Sequence, residues 1–272
     1  MMLFTDRDQL DFDVEVAIKV CRQAGYNEHA LELAKKHGLH HWYLQIQLED
    51  LKKFEEGLDY ISSLDFVNAQ SNIKKYGTIL MKHLPRKTTE FLKLICTDFK
   101  SKNQPLISED VLAGKQETVY RSNPEDFLHL FIRNNEGSFI IDFLEYMMKA
   151  RPSECSDIIY NHLLEHYLHK FKIMTEDPGD KANVRTMEDK IMKILSSPKL
   201  SYDNDHALIL CQLHNFLKGT LYLYERKGLH HQILKIHMEM NNVDEALKTC
   251  RQFGPQNPNL WVQALQLVGM FL

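Results

Sequence analysis

The sequence predicts an all-α fold, a solenoid of stacked antiparallel helix pairs, on three observations. The stretch 21–60 returns at 211–249, where CRQAGYNEHALELAKKHGLHHWYLQIQLE lies over CQLHNFLKGTLYLYERKGLHHQILKIHME. Cys21, Leu31, Leu33, Gly38, Leu39, His40, His41, Leu44 and Ile46 each meet the same residue 190 positions later, and one deletion then brings EEGLDY over DEALKT. Apolar residues recur at helical spacing through most of the chain, in segments too short to be stable alone. The 11 Gly and 8 Pro fall between those segments and are few for a turn-rich β protein. Self-similar helix pairs of about forty residues that cannot bury their apolar faces alone must stack.

Taken in order, Asp11 and Asp13 are candidate N-caps for a helix carrying Val16, Ala17, Val20, Cys21 and Ala24, and Gly25 stops it. Asn27 is expected to cap a second helix with Ala30, Leu31 and Ala34 inward and Gly38 at its end. A third presents Trp42, Tyr43, Ile46 and Leu51, and a fourth Phe54, Leu58, Ile61 and Leu64. The run 65–84 is a longer helix through Phe66, Ala69, Ile73, Tyr76 and Leu80, ended by Pro85, and Thr88 or Thr89 opens the next, with Phe91, Leu92, Leu94 and Ile95. Residues 100–123 break the rhythm and read as a flexible insertion. Helices resume at Pro124, with Phe139, Ile140, Phe143, Leu144 and Met147 before Pro152, then 157–171 and 180–195, before Pro198 introduces the second copy. The expected organisation is a tail (1–10), helical repeats (11–99), the insertion (100–123) and further repeats (124–272), roughly six or seven helix pairs in all. The final LWVQALQLVGMFL is apolar and lacks a polar cap, so that end reads as cut short or covered.

Composition excludes several function classes. A formal charge of -4 gives no basic field for nucleic acid or anionic lipid. The five cysteines are scattered, without a CxxC pair, and read as reduced core thiols of a cytoplasmic protein. No signal peptide is expected at the start, and no apolar run approaches the ~20 residues that span a bilayer. No phosphate-cradling glycine loop or nucleophile elbow occurs.

The sharpest chemical motif is His162, Glu165 and His166, an H-x-x-E-H string with two histidines on one helix face, which is how a zinc hydrolase holds its metal. At 100° per residue, His162, Glu165, His166 and His169 share a face opposite Ile159, Leu163, Tyr167 and Phe171, so a solvated helix side is the better reading. The pairs His40–His41 and His230–His231 recur with the repeat, which points to capping or packing. Lys74, Lys75, Arg86 and Lys87 read as a solvated face, and Trp42, Tyr43, Phe54, Tyr60, Phe66 and Tyr76 as core rather than a base-stacking platform. Trp261 lies on the terminal helix, where a partner could cover it.

DFDVEVAIKVCRQAGY, WYLQIQLEDLKKFEEGLDYI, SNIKKYGTILMKHLP, ALILCQLHNFLKGTLYLYERKGLHHQILKIHM and PNLWVQALQ together resemble the family of vacuolar protein sorting-associated protein eleven. The resemblance covers most of 11–84 and 206–266 and is weak over 100–199. It implies clathrin-heavy-chain-like or tetratricopeptide-like repeats in a core subunit of the HOPS and CORVET tethering complexes. Its expected partners are the other class C vacuolar sorting subunits, with Rab GTPases and SNAREs reached indirectly. The expected location is the cytosolic face of late endosome, lysosome or vacuole membranes, held there through partners. In that family a β-propeller precedes the solenoid and a zinc-binding RING follows it, and neither is matched here.

The sequence therefore predicts a non-enzymatic scaffold without catalytic, cofactor or metal residues. The alternatives are another helical-repeat scaffold of the vesicle-coat or nuclear-pore type, and a zinc hydrolase using His162, Glu165 and His166.

Overall fold

The computed structural model describes residues 13–100, 120–131, 137–176, 181–198 and 200–271, with side chains for all of these but 181 and 267–271. These residues form fifteen α-helices and no strand. They fall into two compact units, Met1–Pro152 and Ser153–Leu272.

The first unit opens at Asp13, whose carboxylate accepts from the amides of Glu15 (3.0 Å) and Val16 (3.4 Å) and so caps α1 (Val14–Gln23). Asp11, the other expected cap, lies outside the described residues. The α1 face differs from the one the spacing predicts: Ile18 is the buried residue, whereas Val16 and Val20 are exposed. After left-handed Gly25, α2 (Asn27–Lys36) starts with Tyr26 at the N-cap. Asn27 is thus the first helical residue and not the cap, because Tyr26 is used up by the turn that closes α1.

Left-handed Gly38 ends that hairpin, and α3 (His40–Gln45) runs on into one π-helical turn (Ile46–Asp50). Then come α4 (Phe54–Ser63) and α5 (Phe66–His83), the latter capped by Asp65. Next, α6 (Pro85–Cys96) starts three residues earlier than the threonines suggested. Proline at the first helical position lacks only an N–H that has no partner there anyway, and its fixed φ suits the helix. Thr88 and Thr89 are therefore interior and buried, with Thr89 Oγ1 donating to the Pro85 carbonyl at 2.7 Å.

Of the expected insertion, 101–119 lie outside the described residues. The Ser122 amide donates to the Ile95 carbonyl (3.0 Å), and the guanidinium of Arg121 to that of Thr97 (3.0 Å). Arg151 donates to the carbonyls of Cys96 (2.6 Å) and Ser122 (3.1 Å). Two cations thus sit at the negative C-terminal end of α6, where the last carbonyls have no helical partner. A short 3-10 turn (Pro124–Phe127) leads into α7 (Leu128–Phe131), and α8 (Gly137–Ala150) completes the unit. Successive helices pack together from α1 to α6, with the π turn between α3 and α4, while α7 packs on α5 and α8, and α6 on α8.

The second unit holds α9 (Asp157–Glu176), α10 (Lys181–Leu195), α11 (Asn204–Leu213), α12 (Leu217–Arg226), α13 (His230–Glu239), α14 (Val243–Phe253) and α15 (Asn259–Phe271). Each helix again packs on the next or the next but one, as in α9 with α11, α10 with α12, and α13 with α15. This neighbour-only packing is that of a solenoid. Cys96, Cys211 and Cys250 are buried thiols, and burial pushes the Cys96 and Cys211 pKa up to about 12. Among the described residues no helix is long and apolar enough to cross a membrane.

Candidate functional site

The two copies of the repeat are the same object built twice. The second begins at Asp203, 190 residues after Asp13, and Asp203 likewise accepts from the next amides, Asp205 (2.9 Å) and His206 (3.2 Å). The copies thus start eight residues before the Cys21–Cys211 match from which sequence alone reads them. The two aspartates, at the same spacing, were the available signal.

The joints agree as closely. In copy one the amides of Tyr26 and Gly25 donate to Cys21 (2.8 Å) and Arg22 (3.1 Å); in copy two those of Phe216 and Asn215 donate to Cys211 (2.8 Å) and Gln212 (3.2 Å). This pairing closes a helix through a left-handed residue and satisfies its last carbonyls. Gly38 and Gly228 repeat it at the next joint, with Leu39 donating to Ala34 (2.9 Å) and Leu229 to Tyr224 (2.9 Å).

The one-residue deletion also has a structural location. Left-handed Lys52 and Asn241 close the third helix of each copy, but copy one has one residue more between its left-handed joints. The extra residue is absorbed as the π turn: the Leu51 amide reaches back five residues to Ile46 (2.9 Å), whereas Met240 reaches back four to Ile236 (3.0 Å).

The copies diverge in what lies between their three helices. In copy one, Arg22 at the end of α1 donates to Asp50 (Nη2–Oδ1 3.0 Å) and to Glu49 (3.1 Å), which also accepts from Gln45 (3.0 Å). A second, closer bond joins Arg22 Nε to Asp50. Trp42 lies beside this lock with the Lys19 ammonium 5.5 Å from its ring centre, and Ile46 is fully buried. Copy two has Gln212 for Arg22 and Gln232 for Trp42, and Ile236, the counterpart of Ile46, is only half-buried. Here a cleft of about 400 Å³ opens between α11, α12 and α13.

Of the recurrent histidines, His40 and His230 meet the next helix and His41 the next but one. His40 Nδ1 is 2.8 Å from the Tyr60 hydroxyl, and His230 stacks on Phe253 at 3.8 Å between ring centres. His41 Nδ1 lies 2.5 Å from the Tyr76 hydroxyl and 3.0 Å from Lys75 Nζ, and burial followed by the Lys75 charge lowers its pKa. The basic residues named from sequence are spread over salt bridges, Lys74 to Asp126 (2.7 Å) and Lys87 to Glu55 (2.8 Å). The aromatics pack among helices: Tyr43 stacks on Tyr60 at 3.9 Å, Phe54 on His83 at 3.9 Å, and Phe66 on Tyr120 at 5.6 Å.

On α9 the face opposite the histidines, with Ile159, Leu163, Tyr167 and Phe171, is buried. His162 Nδ1 lies 3.7 Å from Glu165, both side chains at least two-fifths exposed. Among the described residues no three His, Cys, Asp or Glu side chains gather as a metal site would require. His169 instead meets His214, the C-cap of α11, ring centres 6.0 Å apart. A connection that sequence does not reveal is Lys93: it is 7% exposed on α6, yet bonds Asp142 of α8 (2.6 Å) and Glu90 (2.8 Å).

Comparison with known proteins agrees with this architecture. The family described as PEP5/VPS11 clathrin repeat matches residues 1–270. The chain is 40% identical to the human vacuolar protein sorting-associated protein 11 homolog, over 94% of this chain and 26% of that protein. It is 38% identical to the Dictyostelium discoideum homolog over 96% of this chain and 31% of that protein, and 30% identical to the Arabidopsis thaliana homolog over the same shares. The chain thus spans between a quarter and a third of the length of these curated relatives. The repeated hairpins, their matched caps and these identities place the chain in the PEP5/VPS11 clathrin-repeat family.

Proposed function

We propose that this chain is the helical-repeat strut of a vacuolar-sorting tethering complex of the HOPS and CORVET kind, acting through protein contacts rather than catalysis. The observation that carries the reading is a hairpin built twice with the same caps and left-handed joints, in a chain that is 40% identical to proteins named for vacuolar protein sorting. Stacked hairpins present partners with a firm surface because, within a unit, each helix is packed on its neighbours by buried apolar faces, each fully buried Leu contributing about 2 kcal/mol. In this reading the other class C vacuolar sorting subunits bind the strut directly. Rab GTPases and SNAREs are reached through them, and the chain sits peripherally on the cytosolic face of late endosome, lysosome or vacuole membranes.

The test is affinity purification of the tagged chain from cells, with quantitative mass spectrometry. Enrichment of class C vacuolar sorting subunits is expected. Recovery of vesicle-coat or nuclear-pore subunits in their place would move the strut to another assembly. Metal analysis of the same preparation checks the hydrolase alternative: about one zinc per chain, lost in His162→Ala, would replace the scaffold reading.

A further inference from the structure

We infer that the cleft between α11, α12 and α13 is a docking site for a short, uncharged, extended peptide segment of a partner protein. The argument is an internal comparison. Copy one shows what this repeat looks like when the space is filled by its own side chains, Arg22 locked onto Glu49 and Asp50 beside Trp42. Copy two keeps the caps and the left-handed joints, lacks the π turn that carries Glu49 and Asp50 in copy one, and has Gln212 and Gln232 in place of Arg22 and Trp42, leaving a cleft of about 400 Å³. That size lies within the roughly 300–1,000 Å³ of clefts that take small ligands.

The chemistry of the walls selects the occupant. Asn215, Gln212 and Gln232 line the cleft; Gln212 Nε2 donates to the Tyr224 hydroxyl across it (2.6 Å), and because a carboxamide has two N–H groups and an oxygen, each of the three has a donor and an acceptor to match the N–H and C=O of a peptide main chain. The charged residues on the wall, Lys235 and Glu239, face each other at 3.7 Å and offset one another, so neither an acidic nor a basic ligand is favoured. Ile209 and Leu213, within one turn of Gln212 on α11, are 62% and 64% exposed, where copy one carries Lys19 and Gln23. Amides inside the cleft for the main chain, and bare aliphatic residues outside its lining on the same helix for the side chains, are what would engage an extended peptide here.

The test is selection of a phage-displayed random heptapeptide library on the purified chain, with polarisation binding of the enriched peptides. Peptides with aliphatic and few charged residues are expected to enrich. The combined variant Gln212→Arg and Gln232→Trp, which grafts the arginine and tryptophan of copy one beside the Glu239 that copy two already has, should weaken them at least tenfold with an unchanged helical circular-dichroism spectrum. Gln232→Ala, which removes one amide without filling the cleft, should weaken them about threefold, so the inference remains testable should the double variant misfold. Backbone N-methylation of the peptide should abolish binding. Enrichment no better than on blank resin, charged peptides dominating the selection, or enriched peptides insensitive to Gln232→Ala would overturn the inference. This selection needs no other subunit, so its failure is distinguishable from failure of the co-purification above.

Discussion

At the joints of the repeat, single residues in the left-handed region decide how one helix hands over to the next. Copy one uses Gly25 at φ 79° where copy two uses Asn215 at φ 56°, and both place Gly at the following joint, Gly38 and Gly228. Asparagine tolerates this region through local hydrogen bonding of its short side chain, whereas alanine meets a Cβ clash with the carbonyl. Gly25→Asn should therefore leave the melting temperature within a degree or two, while Gly38→Ala should lower stability by about 1 kcal/mol. Thermal unfolding of the two variants beside the parent checks both. These glycines were legible in sequence because a residue type maps directly onto a backbone region. Asn27 was misread because capping preference is shared by N-cap and N1 positions when a left-handed turn precedes them, and nothing local says that Tyr26 takes the cap.

Helix-to-helix ties carry information that periodicity does not. The spacing marks which face of α6 is apolar but not that Lys93 lies within it, since its carboxylate partners are Glu90 on α6 and Asp142 on α8, 49 residues away. Burial alone would lower the Lys93 pKa, but the bonds to Asp142 and Glu90 outweigh it and raise it. Replacing both carboxylates, as in Glu90→Gln with Asp142→Asn, leaves a buried ammonium without a counter-charge and should cost on the order of 1–2 kcal/mol. Lys93→Met should cost less than that, and urea titration of the two variants separates the cases. The α9–α11 contact carries a second consequence. Burial first, then the neighbouring His162 and His169, lowers the His166 pKa; burial first, then His169 and Lys172, lowers that of His214. With folded values below the ordinary 6.5, the unfolded chain takes up protons first, so this contribution is present above about pH 7 and lost as pH falls through 6.5 and below. Stability by chemical denaturation should decline from pH 7.5 to 5.5, and His166→Gln with His214→Asn should flatten the decline. Some slope remains in that variant because His41 and His237 are also held below the ordinary value, both mainly by burial.

For the whole chain, the all-α class and the pairing of helices were readable because the repeat displays one unit twice. The spacing of identities reports the period even where no single helix is convincing. Less readable was which residue of each apolar stripe is buried: Leu31 and Leu221 match across the copies yet are only partly covered, whereas Leu44 and Leu234, a second matched pair, are fully buried. Depth depends on helices contributed by distant sequence, so identity between copies marks a shared role without ranking it. The fold makes a prediction about how far damage travels. In a stack where each helix touches only near neighbours, stability is close to a sum of local terms, and a defect spreads no further than the helices that share it. Leu44→Ala removes a fully buried side chain from α3, which packs on α2 and runs into the π turn, and should cost about 3 kcal/mol. Hydrogen exchange should then show faster amide exchange through α1–α4 while α8, in the same unit but sharing no such neighbours with α3, keeps its protection. A uniform loss of protection across the first unit would mean that its helices fold as one cooperative block, and the additive picture of a stacked strut would not apply to it.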